Sequence, residues 1–82
     1  IRVRMRCRGN AIHRIKEYLN GQLIKNCDDG SAIMEIHIVE NEQWWIGVVL
    51  SQGKEVEIIE PEHIKERIIN SAKDILFLYD KL

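Results

Sequence analysis

The sequence predicts an α+β domain in which one antiparallel sheet is covered by helices, and three observations predict it. The chain opens with IRVRMRCRGN, whose alternation is typical of a strand because successive side chains point to opposite faces. Asp28-Asp29-Gly30 is a strong hairpin turn between two further strand-like segments, since Asp and Gly tolerate the positive φ of tight turns. Apolar residues at helical spacing, such as Ile12, Ile15 and Leu19, indicate helices between the strands.

Most of the predicted elements have local start or stop signals. Asn10 is a suitable N-cap for the first helix, and Asn20-Gly21 is a helix stop. Gly53 ends the second helix, and Pro61 suits the first turn of the last one. The predicted strands are 1–8, 22–27, 31–39 and 55–59. The predicted helices, in chain order, are 11–19, 41–52 and 61–80.

The order βαββαβ, followed by a C-terminal helix, suits the ferredoxin-like sandwich. That fold has an antiparallel sheet in the order 4-1-3-2 with two helices on one face. The 82 residues are enough for one domain with a modest core. Because the chain begins at Ile1 and not at a methionine, we expect a single domain, 1–82, excised from a longer protein.

The charges are unevenly distributed along the chain. The net charge of −1 argues against a dedicated binder of duplex DNA. Residues 1–16 carry six Lys and Arg and no acidic residue, whereas the remainder carries a net charge of −7. A basic segment beside an acidic remainder is consistent with internal ion pairs and equally with an anion site.

The predicted sheet order makes the first strand central and places Arg2, Arg4, Arg6 and Arg8 on the helix-free face. Two interpretations remain open. In one, the arginines form a cross-strand ion lattice. In the other, one or two of them, Arg4 and Arg6 in particular, stay available for an anion or a neighbouring domain. The neighbouring strands would present three carboxylates and one imidazole to the four arginines: Glu35, Glu55, Glu57 and His37.

Catalytic and metal-binding motifs are absent from the sequence. The three histidines lack metal-ligand spacing, and no nucleophile elbow or phosphate-binding loop occurs. Cys7 and Cys27 are predicted to be buried reduced thiols of a cytoplasmic protein. No apolar run spans a bilayer, and no signal peptide is present. We therefore expect no enzyme, no metal, no cofactor and no membrane contact.

Two apolar features suggest contacts with another domain or subunit. Trp44 and Trp45 cannot both face the core at 100° per residue, so one should lie at an edge, either as a boundary residue or as a contact. The end of the last helix, ILFLY, is apolar on nearly all sides and includes Phe77 and Leu78. Such a helix end is usually buried, which favours an intermolecular or interdomain contact.

The ordered combination of three segments resembles the C-terminal extension, WCX, of WYL-domain transcriptional regulators of bacteria. The segments are IRVRMRCRG, DDGSAIMEIHI and WWIGVVLSQGKEVEIIEPEHIKERI, and the resemblance covers essentially the whole chain. Many members carry Trp at the position of Val48 and an aromatic residue near Gln52, so the helix packing there should differ.

The resemblance implies a regulatory role. Such proteins place a helix-turn-helix region first, a WYL ligand-sensing domain next and this extension last. It implies a homodimer, contact with the upstream domains, and a response to an effector such as a nucleotide or single-stranded nucleic acid. The arginines would then contact an effector phosphate or a WYL domain. The alternative is a stand-alone ferredoxin-like module that binds a small ligand or mediates assembly.

Overall fold

The computed structural model describes residues 1–80, and every predicted strand and helix is present in the predicted order. A single 3-10 turn at Gly53–Glu55 precedes the fourth strand. The elements are β1 (Arg2–Cys7), α1 (Ala11–Tyr18), β2 (Gln22–Asn26), β3 (Ala32–His37), α2 (Trp44–Ser51), β4 (Val56–Glu60) and α3 (Glu62–Asp80).

The sheet is antiparallel throughout and has the order β2-β3-β1-β4, which read from the β4 edge is 4-1-3-2. β1 therefore lies between β3 and β4. Arg4 is opposite Glu35 on β3, and Arg6 is opposite Glu57 on β4. The arginine strand is thus central, with acidic residues on both neighbours.

The core lies on the other side of β1. Val3, Met5 and Cys7 are completely buried there, together with apolar residues of β3 and of both short helices. Burial raises the pKa of the Cys7 thiol to about 11, despite the positive charge of nearby Arg8, so Cys7 remains a neutral thiol at physiological pH. The other cysteine, Cys27, is half-buried and free, so the expected burial is complete only for Cys7.

The hairpin turn between β2 and β3 has the predicted chemistry. Gly30 adopts φ +86°, and the backbone N–H of Cys27 donates to the Ser31 carbonyl at 2.8 Å. The Asp29 carboxylate accepts hydrogen bonds from the Ser31 N–H at 2.9 Å and from its hydroxyl at 2.6 Å. This closed turn places Asp29 beside the end of β3.

One local prediction holds only in part, and another was wrong. Asn10 occupies the N-cap position of α1 as predicted, but it has helical φ and ψ and its side chain makes no capping hydrogen bond. The second helix begins at Trp44 and not at residue 41, because the chain first makes a turn in which the Glu42 N–H donates to the Val39 carbonyl. This later start puts Trp44 in the first turn of α2 and Trp45 in the core.

The last helix packs on the domain only through its first turns. Ile64 is completely buried and Ile68 partly so, whereas the apolar residues 75–79 are 46–69% exposed. At 1.5 Å per residue, the 19 residues of α3 extend for about 28 Å. Its C-terminal half therefore presents apolar side chains outside the core of the domain.

Candidate anion-binding face

The helix-free side of the sheet carries a row of four arginines and the residues opposite them, which we call the arginine face. Each guanidinium lies within 4 Å of at least one carboxylate. The carboxylates that lie opposite the arginines come from β3, from β4 and from the hairpin turn: Glu35, Glu57, Glu60 and Asp29. Four positive charges therefore meet four negative ones on this face, not three as the sequence suggested.

Glu35 is the centre of the arginine face. Its side chain is only 9% exposed, and Arg4 Nε donates to its Oε1 at 3.0 Å. Arg2 Nε lies 3.9 Å from the same oxygen, and His37 Nε2 lies 3.4 Å from Oε2. The hydrogen bond from Arg4 lowers the pKa of Glu35 and outweighs the opposing effect of burial, so this carboxylate stays ionised.

The other half of the row has longer contacts. Arg6 donates to the Ser31 hydroxyl at 3.4 Å and lies 3.9 Å from Asp29 Oδ2. The bonds from Ser31, first the hydroxyl and then the backbone N–H, lower the pKa of Asp29. Arg8 donates to Glu57 Oε1 at 3.4 Å. These interactions are more exposed and should each stabilise the fold less than Arg4–Glu35.

The register explains which predicted partners are present. Glu35 and Glu57 pair with arginines as expected, but Glu55 does not. It lies in the 3-10 turn before β4, and its backbone carbonyl accepts the Arg8 N–H at 2.8 Å. Glu60 takes part instead, because a bulge in β4 shifts the register and brings it opposite Arg4.

The four arginines differ in exposure, and the two that the sequence favoured as available are the less exposed ones. Arg4 and Arg6 have the two least exposed side chains of the row, at 38% and 34%. Arg2 is 65% exposed and Arg8 is 45% exposed. Arg2 and Arg8, at the two ends of the row, are therefore the better candidates for contact with an anion or a neighbouring domain.

His37 connects the arginine face to a second feature at the end of the sheet. It lies opposite Arg2 in the register and also lines an open cavity of about 290 Å³. The other walls come from the end of α1, the start of β2 and the first residue of α2. Strand alternation could not have revealed this convergence, because the contributing elements are far apart in the sequence.

The predicted contact residues have contrasting positions. Trp45 is completely buried, with the Arg67 guanidinium 5.3 Å from its ring centroid, so it belongs to the core and is not on a contact surface. Trp44 is 58% exposed at the edge, as one member of the pair had to be. Phe77 and Leu78 are 59% and 65% exposed on the outer part of α3. The structure therefore shows three of the four predicted contact residues exposed, and their role in a contact stays a prediction: Trp44, Phe77 and Leu78.

The described part of the chain contains no cluster of three or more potential metal ligands. Two histidines there pair with single acids. His63 contacts Glu40 across 23 residues of sequence, and His13 lies 3.2 Å from Glu17 one helical turn away. None of the helices within residues 1–80 is long and apolar enough to cross a membrane.

Comparison with known proteins places this arrangement in a family. Residues 1–76 match the family model of the WCX domain. The chain belongs to the WCX domain family. Its sequence is also similar to that of YobV of Bacillus subtilis (strain 168), described as an uncharacterized HTH-type transcriptional regulator, with 24% identity over 71 residues. No solved structure matches this WCX domain.

The similarity to the regulator covers 87% of this WCX domain but only 23% of the Bacillus protein. The chain thus spans about a quarter of the length of that relative.

Proposed function

We propose that this chain is the non-catalytic regulatory domain of a cytoplasmic, WYL-type helix-turn-helix transcription regulator, where it contributes to dimerisation and to the response to an anionic effector. The observation that carries the proposal is the WCX match over residues 1–76, supported by the similarity to an HTH-type regulator. In such a protein the DNA contacts belong to another region, which agrees with the net charge of −1 here.

The arginine face supports the proposed response to an effector. Arg4 is held by Glu35, so it keeps the strand and its register fixed. Arg2 and Arg8 lie at either end with longer contacts and greater exposure. A guanidinium forms paired hydrogen bonds with phosphate or carboxylate, so these two arginines suit an effector phosphate or an acidic surface of the upstream WYL domain.

The mechanism would be thermodynamic linkage. An effector that binds better to one arrangement of domains increases the population of that arrangement. The equilibrium between two arrangements can shift at most by the ratio of the effector's affinities for them. If the favoured arrangement is the dimer competent for DNA binding, the effector changes promoter affinity without any chemistry in this domain. Two copies of α3 with exposed apolar ends would contribute to that dimer.

The test uses the full-length regulator that carries this chain. Promoter binding is measured by fluorescence anisotropy, with and without a short single-stranded oligonucleotide, for the wild type and for the double variant Arg2→Gln/Arg8→Gln. We expect the oligonucleotide to change promoter affinity in the wild type and the variant to lose most of that change. The matched control is Lys73→Gln, which removes an exposed positive charge from α3 instead of the arginine face.

Two results would contradict the proposal. The first is wild-type promoter affinity that does not respond to single-stranded nucleic acid or to nucleotides. The second is a double variant that responds as strongly as the wild type. A response lost equally in Lys73→Gln would indicate a general charge effect and would also count against a role of the arginine face.

A further inference from the structure

The cavity at the end of the sheet has a composition that neither the family match nor the arginine face explains. It lies where β2 begins and β3 ends, and it has a volume of about 290 Å³. Its walls combine two aromatic rings, two side-chain amides, one imidazole and one aliphatic residue: Tyr18, Trp44, Asn20, Gln22, His37 and Leu19. We propose that this cavity binds a single unpaired nucleobase, with the attached phosphate directed toward Arg2.

This inference rests on the proposed effector response and makes it more specific, because it names the class of ligand and its site. The base can come from a free nucleotide or from one nucleotide of a single strand. The chemistry is the same for both sources, and the experiment below separates them.

The aromatic residues supply the first argument. Trp44 and Tyr18 are 58% and 59% exposed and line the same cavity. The indole N–H of Trp44 donates to Glu42 Oε2 at 2.8 Å, and because this bond lies at the ring edge, it leaves the ring face available. Unpaired bases bind proteins largely by stacking on such rings, whichever base is present.

The amides supply the second argument. Asn20 and Gln22 each carry a donor NH₂ and an acceptor oxygen. The edge of a nucleobase also presents donors and acceptors side by side, which an amide can match. A volume of about 290 Å³ is near the small end of ligand pockets, at roughly 300 Å³, so it suits one ring system and not a larger ligand.

The charges supply the third argument. His37 lines the cavity and is opposite Arg2 in the β1–β3 register, so Arg2 stands next to the cavity on the arginine face. Arg2 is the most exposed guanidinium of the row, and its carboxylate partner is already bonded to Arg4. Two acids flank the region, Glu42 at the indole edge and Glu35 between Arg2 and Arg4. The attached phosphate is therefore expected on the Arg2 side of the cavity, away from the carboxylate of Glu42.

Isothermal titration calorimetry on the full-length regulator tests the proposal with four probes. They are deoxyadenosine 5′-monophosphate, the single strand dA6, adenosine without phosphate, and deoxyribose 5-phosphate without base. We expect both phosphorylated adenine probes to bind more tightly than deoxyribose 5-phosphate. Equal affinity for the monophosphate and dA6 would identify a free nucleotide as the source, and tighter binding of dA6 would identify a single strand.

The variants distinguish stacking from charge. Trp44→Ala should weaken binding of the monophosphate by about 5- to 150-fold, because stacking on one ring contributes that much, whereas Trp44→Phe should retain most of the affinity. Tyr18→Ala should weaken it as well. The control is Ile59→Ala, which truncates an exposed apolar side chain on β4, at the opposite edge of the sheet from β2. Arg2→Gln should weaken binding of the monophosphate but not of adenosine.

Several results would overturn the inference. They are wild-type protein that binds none of the adenine probes, Trp44→Ala and Tyr18→Ala proteins that bind like the wild type, and an equal loss of binding in Ile59→Ala. Trp44→Ala that changes dimer formation but not probe binding would assign the cavity to a protein contact and would also overturn it. If these variants keep their affinity while Arg2→Gln/Arg8→Gln abolishes the effector response, this inference fails and the proposed function stands.

Discussion

Arg4 Nε lies 3.0 Å from Glu35 Oε1, on a carboxylate that is only 9% exposed although it is on the side of the sheet without helices. The two residues are directly opposite in the register of the central strand pair. Charged side chains are seldom so buried unless they are paired, because removing a charge from water is costly. This pair therefore fixes the register of β1 against β3 and aligns the rest of the arginine row.

The first prediction concerns the unequal roles of neighbouring arginines. Arg4→Met removes the short partner of Glu35 and leaves a buried carboxylate with weaker contacts, so we expect the melting temperature to fall by roughly 4–8 °C. Arg2→Met removes a contact of 3.9 Å from a side chain that is 65% exposed and should have a much smaller effect. Thermal unfolding followed by circular dichroism compares the two. Equal losses would contradict the central role of Arg4.

The second prediction concerns acid stability. The pKa of Glu35 in the folded protein is lowered, so its ionised form stabilises the fold at pH values above its unfolded pKa of about 4.3. That contribution is lost as the pH falls through the folded pKa. Glu35→Gln should therefore unfold at a lower urea concentration than the wild type at pH 7, and the difference should shrink between pH 5 and pH 3.

The control for this titration is Glu66→Gln, the same change at an exposed position on α3. Its urea midpoint should follow that of the wild type at each pH. A pH-independent difference between Glu35→Gln and the wild type would mean that Glu35 contributes through packing or geometry and not through its charge.

Much of the fold could be predicted because its signals are local. The alternation of β1 and the Asp-Gly turn depend on neighbours within a few residues, and both are present in the structure. The start of α2 was less predictable, because residues 40–43 could continue a helix or form a turn. The backbone bond from Glu42 to Val39 decides in favour of the turn.

The candidate site was less predictable, because it depends on register and on contacts between distant segments. Glu35 follows from strand pairing alone, but Glu60 does not, since the bulge in β4 reverses the alternation of the strand just before it. Asp29 joins Arg6 only because the hairpin turn folds back on Ser31. The two aromatic rings that line the cavity near His37 are those of Tyr18 in α1 and Trp44 in α2. The sequence predicts both helices on the opposite side of the sheet from the arginine face.

The third prediction compares two glycines with opposite expected effects. A Cβ atom at Gly21 would lie 2.8 Å from Ile15 Cγ2 and 3.1 Å from the Ile15 carbonyl, whose oxygen accepts the Gly21 N–H. Gly21→Ala should therefore destabilise the domain by roughly 1–3 kcal/mol through overpacking. A Cβ at Gly47, in the middle of α2, would meet nothing within 4 Å, so Gly47→Ala should stabilise it by about 0.5–1 kcal/mol.

Urea unfolding of both variants at one pH measures this difference directly. Gly21 immediately follows Asn20, which has φ +52° and lies just beyond the end of α1, so the result also reports how tightly that end of the helix packs on the core. Stabilisation by Gly21→Ala would show that Ile15 can move aside at no cost and would contradict the close packing.

The last prediction concerns the outer end of α3 and rests on the proposed dimer. Leu78 is 65% exposed and lies beyond the residues that pack on the core, so Leu78→Ser should leave the melting temperature of the domain nearly unchanged. In a symmetric dimer the substitution is present twice, and each lost leucine contact contributes on the order of 1.5–3 kcal/mol when fully buried. Sedimentation of the full-length protein should therefore show a dissociation constant raised about tenfold or more. Val39→Ser, which changes an apolar residue of similar exposure between β3 and α2, should leave dimer formation intact, and equal weakening by both variants would place the dimer contact elsewhere.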